Sequence, residues 1–431
     1  MKEDAIFALI FVASLGIGYL LPSVDAASRS GAAGALGATL VALACGLRWA
    51  LYPLLTSMIT AAALAFAPRR LHGPLCFAAA FGSLAVLRLC DSPPGAANAV
   101  QLVLTLRLAS VGFDSADGGL PGNQGPLRLL QYAFCYHGLF SGPFYPWDEW
   151  AAAMGAPAGV PLQPAERRQV RCAVRDAAIT LCVWRGVAWL TPYARLSEPG
   201  WADQPLLWRL CYFYLSSFQF RFRFYACWSL VEAAGVLCRF PHPSNVSPWE
   251  CETAISPSHM IASWNVSVHR FLRAYVHTRL QLPSRPARRL GAFAVSAFWH
   301  GMHAGYYLFF AGLFAMVLVE RLVRAAAVAA RRRPNCCART PLPNPRFANP
   351  RFAAPRSRCR AARRRGCPTA AHGQPHRGSL AACCSNGGRW RRSLSSAPLS
   401  TGAAGARRSK CGWRWKTMAS GCWRCRGVGR R

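Results

Sequence analysis

The chain has 431 residues, of which 53% are hydrophobic and only 16% are charged, whereas about 25% of the residues in a typical soluble protein are charged. This balance argues against an ordinary soluble domain and favours a protein that crosses a membrane several times. The formal net charge of +35 is concentrated at one end, because residues 331–431 hold 25 of the 51 Lys and Arg and none of the 16 Asp and Glu. The remaining body carries a net charge of only +10, so it gives no indication of a nucleic-acid partner.

Apolar runs long enough for membrane helices follow one another along the body. They are residues 5–21, 31–47, 49–67, 74–90, 170–190, 206–220, 224–240 and 306–330. Three segments of mixed character lie between these runs and are interpreted as amphipathic or re-entrant helices: 98–113, 132–144 and 259–280. Half-polar segments at membrane depth need protein or a water-filled cavity around them. The predicted fold class is therefore an all-α, polytopic transmembrane helical bundle that encloses a cavity.

The first apolar run has two interpretations. The small residues of SVDAAS fit a signal-peptide cleavage site, but the preceding MKED lacks the usual positive charge and many further spans follow. A retained first helix is therefore the prediction.

The tail at residues 331–431 differs from the body, because it also lacks Ile and Tyr and contains the imperfect duplication NPRFANPRFA. Such a composition cannot bury a core, which predicts a disordered segment. It is interpreted as a basic arm for anionic lipid or RNA, as a metal module around the Cys422 and Cys425 pair, or as non-native sequence from a retained intron or a shifted reading frame. The last interpretation is favoured, because the pair lacks a second pair at zinc spacing and acidic residues are missing throughout.

Two polar clusters occupy the last apolar third of the body. In SWNVSVHRFLRAYVH, Trp264 and Asn265 begin a helical pattern with apolar residues at spacings of three and four. In SAFWHGMHAGYY, 35 positions on from Asn265, His300 and His303 stand just before a strongly apolar run. The loop LPSRPARR between the clusters would let the two segments pack side by side. Strongly polar side chains at membrane depth are costly, so their default interpretation is functional.

These two clusters resemble the paired asparagine and histidine motifs of the membrane-bound O-acyltransferase (MBOAT) family. NAVQLVLTLRLASVGFD, YAFCYHGLFSGPFYPW and FQFRFRFYACWSLVEAAGV are similar to further motifs of its lysophospholipid acyltransferases, and the lysophosphatidylinositol branch is the most similar. The resemblance covers most of residues 1–330, which are predicted to form the acyltransferase domain, and it implies a bundle of the MBOAT type.

The resemblance implies a multi-pass enzyme of the endoplasmic reticulum membrane that moves a fatty acyl group from acyl-CoA to the free hydroxyl of a lysophospholipid. His300 is the predicted general base, because a neutral imidazole with an ordinary pKa near 6.5 can take a hydroxyl proton at working pH. Asn265 is predicted either to position the hydroxyl or to donate a hydrogen bond to the developing oxyanion. Acyl-CoA is a co-substrate, and neither a metal nor another cofactor is expected.

Further residues are assigned to substrate binding. Trp264, Trp299 and His303 are predicted to contact substrate. Arg221 and Arg223 alternate with aromatic residues, and they either extend to the membrane interface or bind phosphate of CoA or of the lipid headgroup.

Several polar residues outside these clusters receive structural interpretations. Glu232 is predicted to pair with Arg221, Arg223 or Arg107, and Asp114 and Asp117 are interpreted as loop and turn residues. Asn245 and Asn265 each begin an N-glycosylation sequon, which we interpret as fortuitous.

Family members continue with more membrane helices after the one that follows the histidine motif, whereas this chain runs into the basic tail near residue 330. The resemblance therefore predicts a C-terminally truncated domain, which is either active or an inactive family member. The sequence is also compatible with a superfamily acyltransferase that acts on a protein or sterol hydroxyl, and with a transporter that has a polar site at the membrane midplane. The oligomeric state is not assigned.

Overall fold

The structure is a computed structural model that describes residues 2–90, 93–120 and 125–331. Within these residues the regular structure is helical, which confirms the predicted all-α class. The α-helices are α1 (Lys2–Leu20), α2 (Ala26–Cys45), α3 (Leu47–Phe66), α4 (His72–Cys90), α5 (Gly95–Asp117), α6 (Pro126–Ala133), α7 (Trp147–Met154), α8 (Pro164–Leu190), α9 (Leu206–Leu237), α10 (Pro248–Glu252), α11 (Pro257–Ser263), α12 (Val266–Phe271), α13 (Arg285–His300) and α14 (Ala304–Arg331). A π-helical segment, Leu272–His277, directly continues α12.

Four helical stretches among the described residues are long and apolar enough to cross a membrane. They are Asp4–Ser23, Leu47–Phe66, Arg69–Cys90 and Gly95–Asp117. The first three coincide with predicted apolar runs, and together with the fourth they support a protein that crosses the membrane several times.

Helix α5 corrects the prediction of an amphipathic or re-entrant helix at residues 98–113. It is one continuous helix, and 78% of its apolar window is buried inside the protein. Its polar side chains find partners on other segments, since Gln101 Nε2 donates to Thr56 Oγ1 at 3.0 Å. The guanidinium of Arg107, which is fully buried, donates to four backbone carbonyl groups between Tyr132 and His137. The polar residues of this segment therefore lie at the centre of the bundle.

A close approach between α2 and the chain after α6 depends on Gly37. A Cβ atom at this position would lie 1.7 Å from the carbonyl oxygen of Phe134 and 2.9 Å from the amide nitrogen of Tyr136. Backbone atoms cannot yield as a flexible side chain can, so only glycine fits here.

We therefore expect Gly37→Ala to lower the free energy of unfolding by about 1–3 kcal/mol or more, because the added methyl group forces two backbone segments apart. The thermal unfolding midpoint of the detergent-solubilised chain measures the effect. Gly82→Ala in α4 is the matched control, since a Cβ atom there meets no other atom within 4 Å. Equal midpoints for the two variants would contradict the close approach.

Helix α9 corrects the prediction of two membrane helices at residues 206–220 and 224–240. It runs without interruption through the arginines between the two apolar runs. Arg221 pairs with Glu252 at 2.7 Å, and Arg223 pairs with Asp4 at 3.0 Å. Acidic residues far away in the sequence therefore satisfy the charges within the helix.

The predicted environments of three acidic residues are also wrong. Glu232 accepts a hydrogen bond from Gln169 Nε2 of α8 at 2.8 Å rather than pairing with an arginine. Asp114 and Asp117 belong to the last turn of α5 rather than to a loop. Helix–helix packing gives each of these carboxylates a partner that sequence spacing did not indicate.

Helix α14 ends the described part of the chain. Many of its large apolar side chains are exposed, among them Leu308, Phe309, Val319 and Leu322. Apart from Arg331, the predicted tail at residues 331–431 lies outside the described residues, and with it the Cys422 and Cys425 pair.

Candidate functional site

His300 is the last residue of α13, and an arginine from another helix holds this helix end. Arg88 of α4 donates to the carbonyl oxygens of Phe298 and Trp299, both at 2.9 Å, and to that of His300 at 3.3 Å. The last carbonyl groups of a helix have no partner within the helix, so a guanidinium is well suited to this position. The main chain that carries the imidazole is thereby fixed.

The imidazole of His300 lies among aromatic rings of α14. Tyr306 is stacked with it at a centroid distance of 6.0 Å, and Phe310 lies at 5.1 Å. Gly301 permits this arrangement, because a Cβ atom at that position would come within 2.3 Å of the Tyr306 ring. Neither ring nitrogen of His300 has a hydrogen-bond partner among the described residues. The ring is thus held by its faces, while its nitrogen atoms remain available.

Asn265 forms the N-cap of α12 in a left-handed backbone conformation, with φ 46° and ψ 53°. Its Oδ1 accepts a hydrogen bond from Asn245 Nδ2 at 3.1 Å. Asn245 also contacts the first turn of α12, because its backbone oxygen accepts from Val266 N at 2.9 Å and its Oδ1 accepts from Ser267 N at 3.0 Å. Hydrogen bonds with a second asparagine, Asn245, therefore hold Asn265 and the first turn of α12 in place.

Trp264 packs among the aromatic residues of α9. Its ring centroid lies 5.0 Å from that of Trp228 and 5.6 Å from that of Tyr225. Tyr225 donates to Glu252 at 2.8 Å, and Glu252 also holds Arg221. This aromatic packing anchors the chain immediately before Asn265.

The π-helical segment links the two motifs. Tyr275, in this segment, donates to the carboxylate of Asp114 at 3.0 Å, and Arg279 pairs with Asp117 at 2.6 Å. Helix α13 packs against the same segment, so the two motifs lie on adjoining elements. A cavity of about 290 Å³ opens beside Tyr275, and neither His300 nor Asn265 lines it.

The structure accounts for the remaining predicted site residues in different ways. Trp299 is buried and donates from Nε1 to the carbonyl of Leu102 at 3.0 Å, which is an anchoring contact. His303 is exposed, and its backbone oxygen caps the start of α14 by accepting from Tyr306 N. Arg221 and Arg223 are both occupied by ion pairs. Among the described residues no hydrogen bond joins His300 to Asn265.

Positive charge gathers where α13 begins. We call this group the basic cluster: Arg273, His277, Arg285, Arg288, Arg289 and Arg321. Burial and the guanidinium groups of Arg288, Arg289 and Arg273 lower the pKa of His277. Burial and the nearby Arg321 and Arg285 likewise lower the pKa of Arg289. Within the described part of the chain, no residue of this cluster forms a salt bridge with an acidic residue. The positive charge of the cluster is therefore largely uncompensated.

Sequence reasoning missed two residues of this region. Arg88 is the one charged residue near the end of an otherwise apolar run. An isolated charge in a membrane helix usually has a functional or structural partner, so the sequence could have indicated this residue. Asn245 attracted notice only as part of a sequon, and no local pattern revealed its contact with Asn265, which lies 20 positions away. Both residues act on the motifs from segments that are distant in sequence.

A comparison with protein families agrees with this architecture. The family model of the membrane-bound O-acyltransferase family matches residues 101–359, more than half of the chain. The bovine (Bos taurus) membrane-bound acylglycerophosphatidylinositol O-acyltransferase MBOAT7 is 25% identical over 386 residues, which cover 75% of this chain and 80% of the relative. The fission yeast (Schizosaccharomyces pombe) lysophospholipid acyltransferase is 26% identical, with 53% of this chain and 52% of the relative covered. The Arabidopsis thaliana lysophospholipid acyltransferase 2 is 28% identical, with 48% of this chain and 53% of the relative covered.

The chain thus spans about half the length of the yeast and plant relatives. The helical bundle and its apolar spans define a multi-pass membrane protein. The chain belongs to the membrane-bound O-acyltransferase family.

Proposed function

We propose that the chain transfers a fatty acyl group from acyl-CoA to the free hydroxyl group of a lysophospholipid. The observation that carries the proposal is the environment of His300, whose main chain is held by Arg88 and whose ring nitrogens have no partner among the described residues. Relatives from yeast, plant and animal sources, which are named as acyltransferases, support the reaction class.

In the proposed reaction, neutral His300 accepts the proton of the lysophospholipid hydroxyl while the hydroxyl oxygen attacks the thioester carbon. A carbon–oxygen bond forms, the carbon–sulfur bond breaks, and CoA leaves as a thiolate that takes the proton from the imidazolium. Asn265 either positions the hydroxyl or stabilises the oxyanion, and losing one such donor typically costs about 3 kcal/mol of barrier. The reaction requires neither a covalent enzyme intermediate nor a resident cofactor.

The basic cluster supports acyl-CoA as the donor, because CoA carries a diphosphate and a further phosphate group. His300 lies eleven positions after Arg289 in α13, which corresponds to about 16 Å of helix rise. This span is comparable with the extended pantetheine arm that joins the CoA diphosphate to the thioester. Phosphate groups at the start of α13 would therefore leave the thioester within reach of His300.

We expect the double variant Arg285→Glu/Arg289→Glu to raise the KM for acyl-CoA by about 10-fold or more, because reversing two charges repels the phosphate groups. We expect kcat to change much less, since neither residue reaches the thioester. Initial rates at several acyl-CoA concentrations and at low and high salt measure both effects.

Arg175→Glu is the control for that experiment, because Arg175 pairs with its neighbour Asp176 on α8, away from the basic cluster. An unchanged KM in the double variant, or an equal increase in the control, would remove the basic cluster from donor binding.

Lysophosphatidylinositol is the proposed acceptor, because the name of the bovine relative refers to acylglycerophosphatidylinositol and the match to that relative covers 75% of the chain. The endoplasmic reticulum membrane is the proposed location, as the family resemblance implies. Both assignments rest on relatedness.

Membranes from cells that express the chain provide the test. They are incubated with lysophosphatidylinositol, other lysophospholipids, a sterol and a panel of acyl-CoA donors, and membranes without the chain set the background. Acyl incorporation that depends on the chain and is fastest into lysophosphatidylinositol is the expected result. Incorporation into the sterol or into protein would favour a superfamily acyltransferase of that kind, and no incorporation with any acceptor would contradict the proposed reaction.

A further inference from the structure

Asn245 is almost completely buried, with 1% of its surface exposed, yet it belongs to no helix. Its three polar contacts at the start of α12 are all directed to the Asn265 junction. Two of them hold the main chain of α12, at Val266 and Ser267, and the third holds the side-chain amide of Asn265.

The hydrogen-bond network fixes which way both amide groups point. A backbone N–H can only donate, so the Asn245 atom that faces Ser267 N must be the acceptor, Oδ1. The other end of that amide, Nδ2, then faces Asn265 and can only donate. Asn265 must therefore present its own Oδ1 to Asn245, which agrees with the 3.1 Å contact.

This orientation leaves the Nδ2 group of Asn265 as the free end of the amide. Nδ2 has no hydrogen-bond partner within the described part of the chain. Because Oδ1 faces Asn245, the end of the Asn265 amide that has no partner carries two N–H donors. This end can donate to an acyl carbonyl oxygen, whereas it cannot accept a hydrogen bond from a hydroxyl group.

The backbone at Asn265 supports a specialised role. Asn265 and Arg239 are the non-glycine residues with positive φ among the described residues. Asparagine tolerates this conformation better than most residues, and such strained positions persist where surrounding contacts over-determine them. Here those contacts come mainly from Asn245.

We propose that Asn245 is a positioning residue that locks the Asn265 amide with its Nδ2 toward the acyl carbonyl oxygen of the donor. The assignment rests on the proposed function and deepens it, because it gives Asn265 one of the two roles considered for it, donation to the oxyanion. Preorganised donors stabilise a developing oxyanion without reorganisation during the reaction. Asn245 provides that preorganisation without touching the substrate.

Asn245→Asp is the sharpest variant, because it replaces one NH₂ group by oxygen and preserves size. One carboxylate oxygen can still accept from Ser267 N, and the backbone contact with Val266 remains. The other oxygen faces Asn265 Oδ1, and repulsion between these two acceptors turns the Asn265 amide around. At about pH 8.5, well above the ordinary pKa of aspartate, we expect kcat to fall about 100-fold or more, as when an oxyanion donor is lost.

Ser267→Ala is the matched structural control at the same junction. Ser267 Oγ accepts from Phe144 N at 2.9 Å, and among the described residues no hydrogen bond joins this hydroxyl to the Asn265 amide. We expect this variant to lower the thermal unfolding midpoint and to leave kcat nearly unchanged. We expect Asn245→Asp to lower kcat and to leave the unfolding midpoint nearly unchanged. Parallel losses of stability and kcat in both variants would reduce Asn245 to a structural residue and overturn the assignment.

A binding experiment tests the same point without turnover. One probe is a CoA thioether with a 2-oxoalkyl chain, whose ketone imitates the acyl carbonyl, and the other is the alkyl thioether without the ketone. We expect the unmodified chain to bind the ketone probe about 10-fold more tightly, which corresponds to about 1.4 kcal/mol, and Asn245→Asp to abolish the difference.

The outcomes separate donor binding from the role of Asn245. If the unmodified chain binds neither probe, the proposed use of acyl-CoA fails. If it binds both probes but prefers neither, or if Asn245→Asp keeps the preference, the proposed use of acyl-CoA stands and the positioning role of Asn245 is overturned.

Discussion

His300→Ala is expected to lower the rate of acyl transfer by about 10²–10⁴-fold, which is the usual contribution of a positioned general base. The alanine leaves the helix end and its Arg88 contacts intact, because those contacts use backbone oxygens. We therefore expect the thermal unfolding midpoint to change little. Incorporation of labelled acyl groups at saturating substrate, together with the unfolding midpoint, measures both quantities.

His259→Ala is the control for this experiment, because His259 is an exposed histidine of α11. We expect its activity to match that of the unmodified chain. Equal incorporation by the His300 variant and the unmodified chain would remove His300 as the base. Loss of activity in His303→Ala with retention in His300→Ala would move that role to His303.

Arg88→Met is expected to lower both the stability of the chain and its activity. Removing the guanidinium leaves the carbonyl groups at the end of α13 without their donor, and hydrogen bonds that involve a charged group contribute about 1.5–3 kcal/mol each. The end of α13 should then fray, and the His300 ring should lose its fixed position. We expect kcat to fall at least about 10-fold and the unfolding midpoint to drop clearly.

Arg88→Lys separates charge from geometry. A lysine keeps the positive charge but cannot reproduce the planar fork that reaches three carbonyl groups and Asn98 at once. We expect it to recover only part of the loss. Arg70→Lys, at an exposed position before α4, serves as the control. A fully active Arg88→Met variant would show that the helix end needs no such support.

The predictions that succeeded depended on local patterns. Apolar runs of sufficient length identified three of the four candidate membrane spans, and the motifs around Asn265 and His300 indicated the family. A hydrophobic run and a short motif are both complete within a few neighbouring residues, so a sequence displays them directly. The catalytic roles of His300 and Asn265 remain predictions.

The errors share one physical cause, which is that a polar residue was interpreted without its partner. Arg221 and Arg223 seemed to divide α9, but Glu252 and Asp4 neutralise them and the helix continues. Residues 98–113 were predicted to be amphipathic or re-entrant, whereas backbone carbonyl groups enclose Arg107 of this segment in the core. The cost of a buried polar group depends on whether it is hydrogen-bonded, and these partners lie many residues away.

The contact between Arg88 and the end of α13 also bears on how the chain is made. Membrane helices are synthesised in order, and the carbonyl of Phe298 that Arg88 needs lies 210 residues further along the chain. Until that segment arrives, Arg88 lacks these partners, and a charged side chain in a membrane helix carries a free-energy penalty that depends on its depth. A nascent chain that stops before α13 keeps this penalty, whereas a chain that completes the histidine segment relieves it. The contact that supports His300 thus also couples the biogenesis of α4 to the arrival of α13.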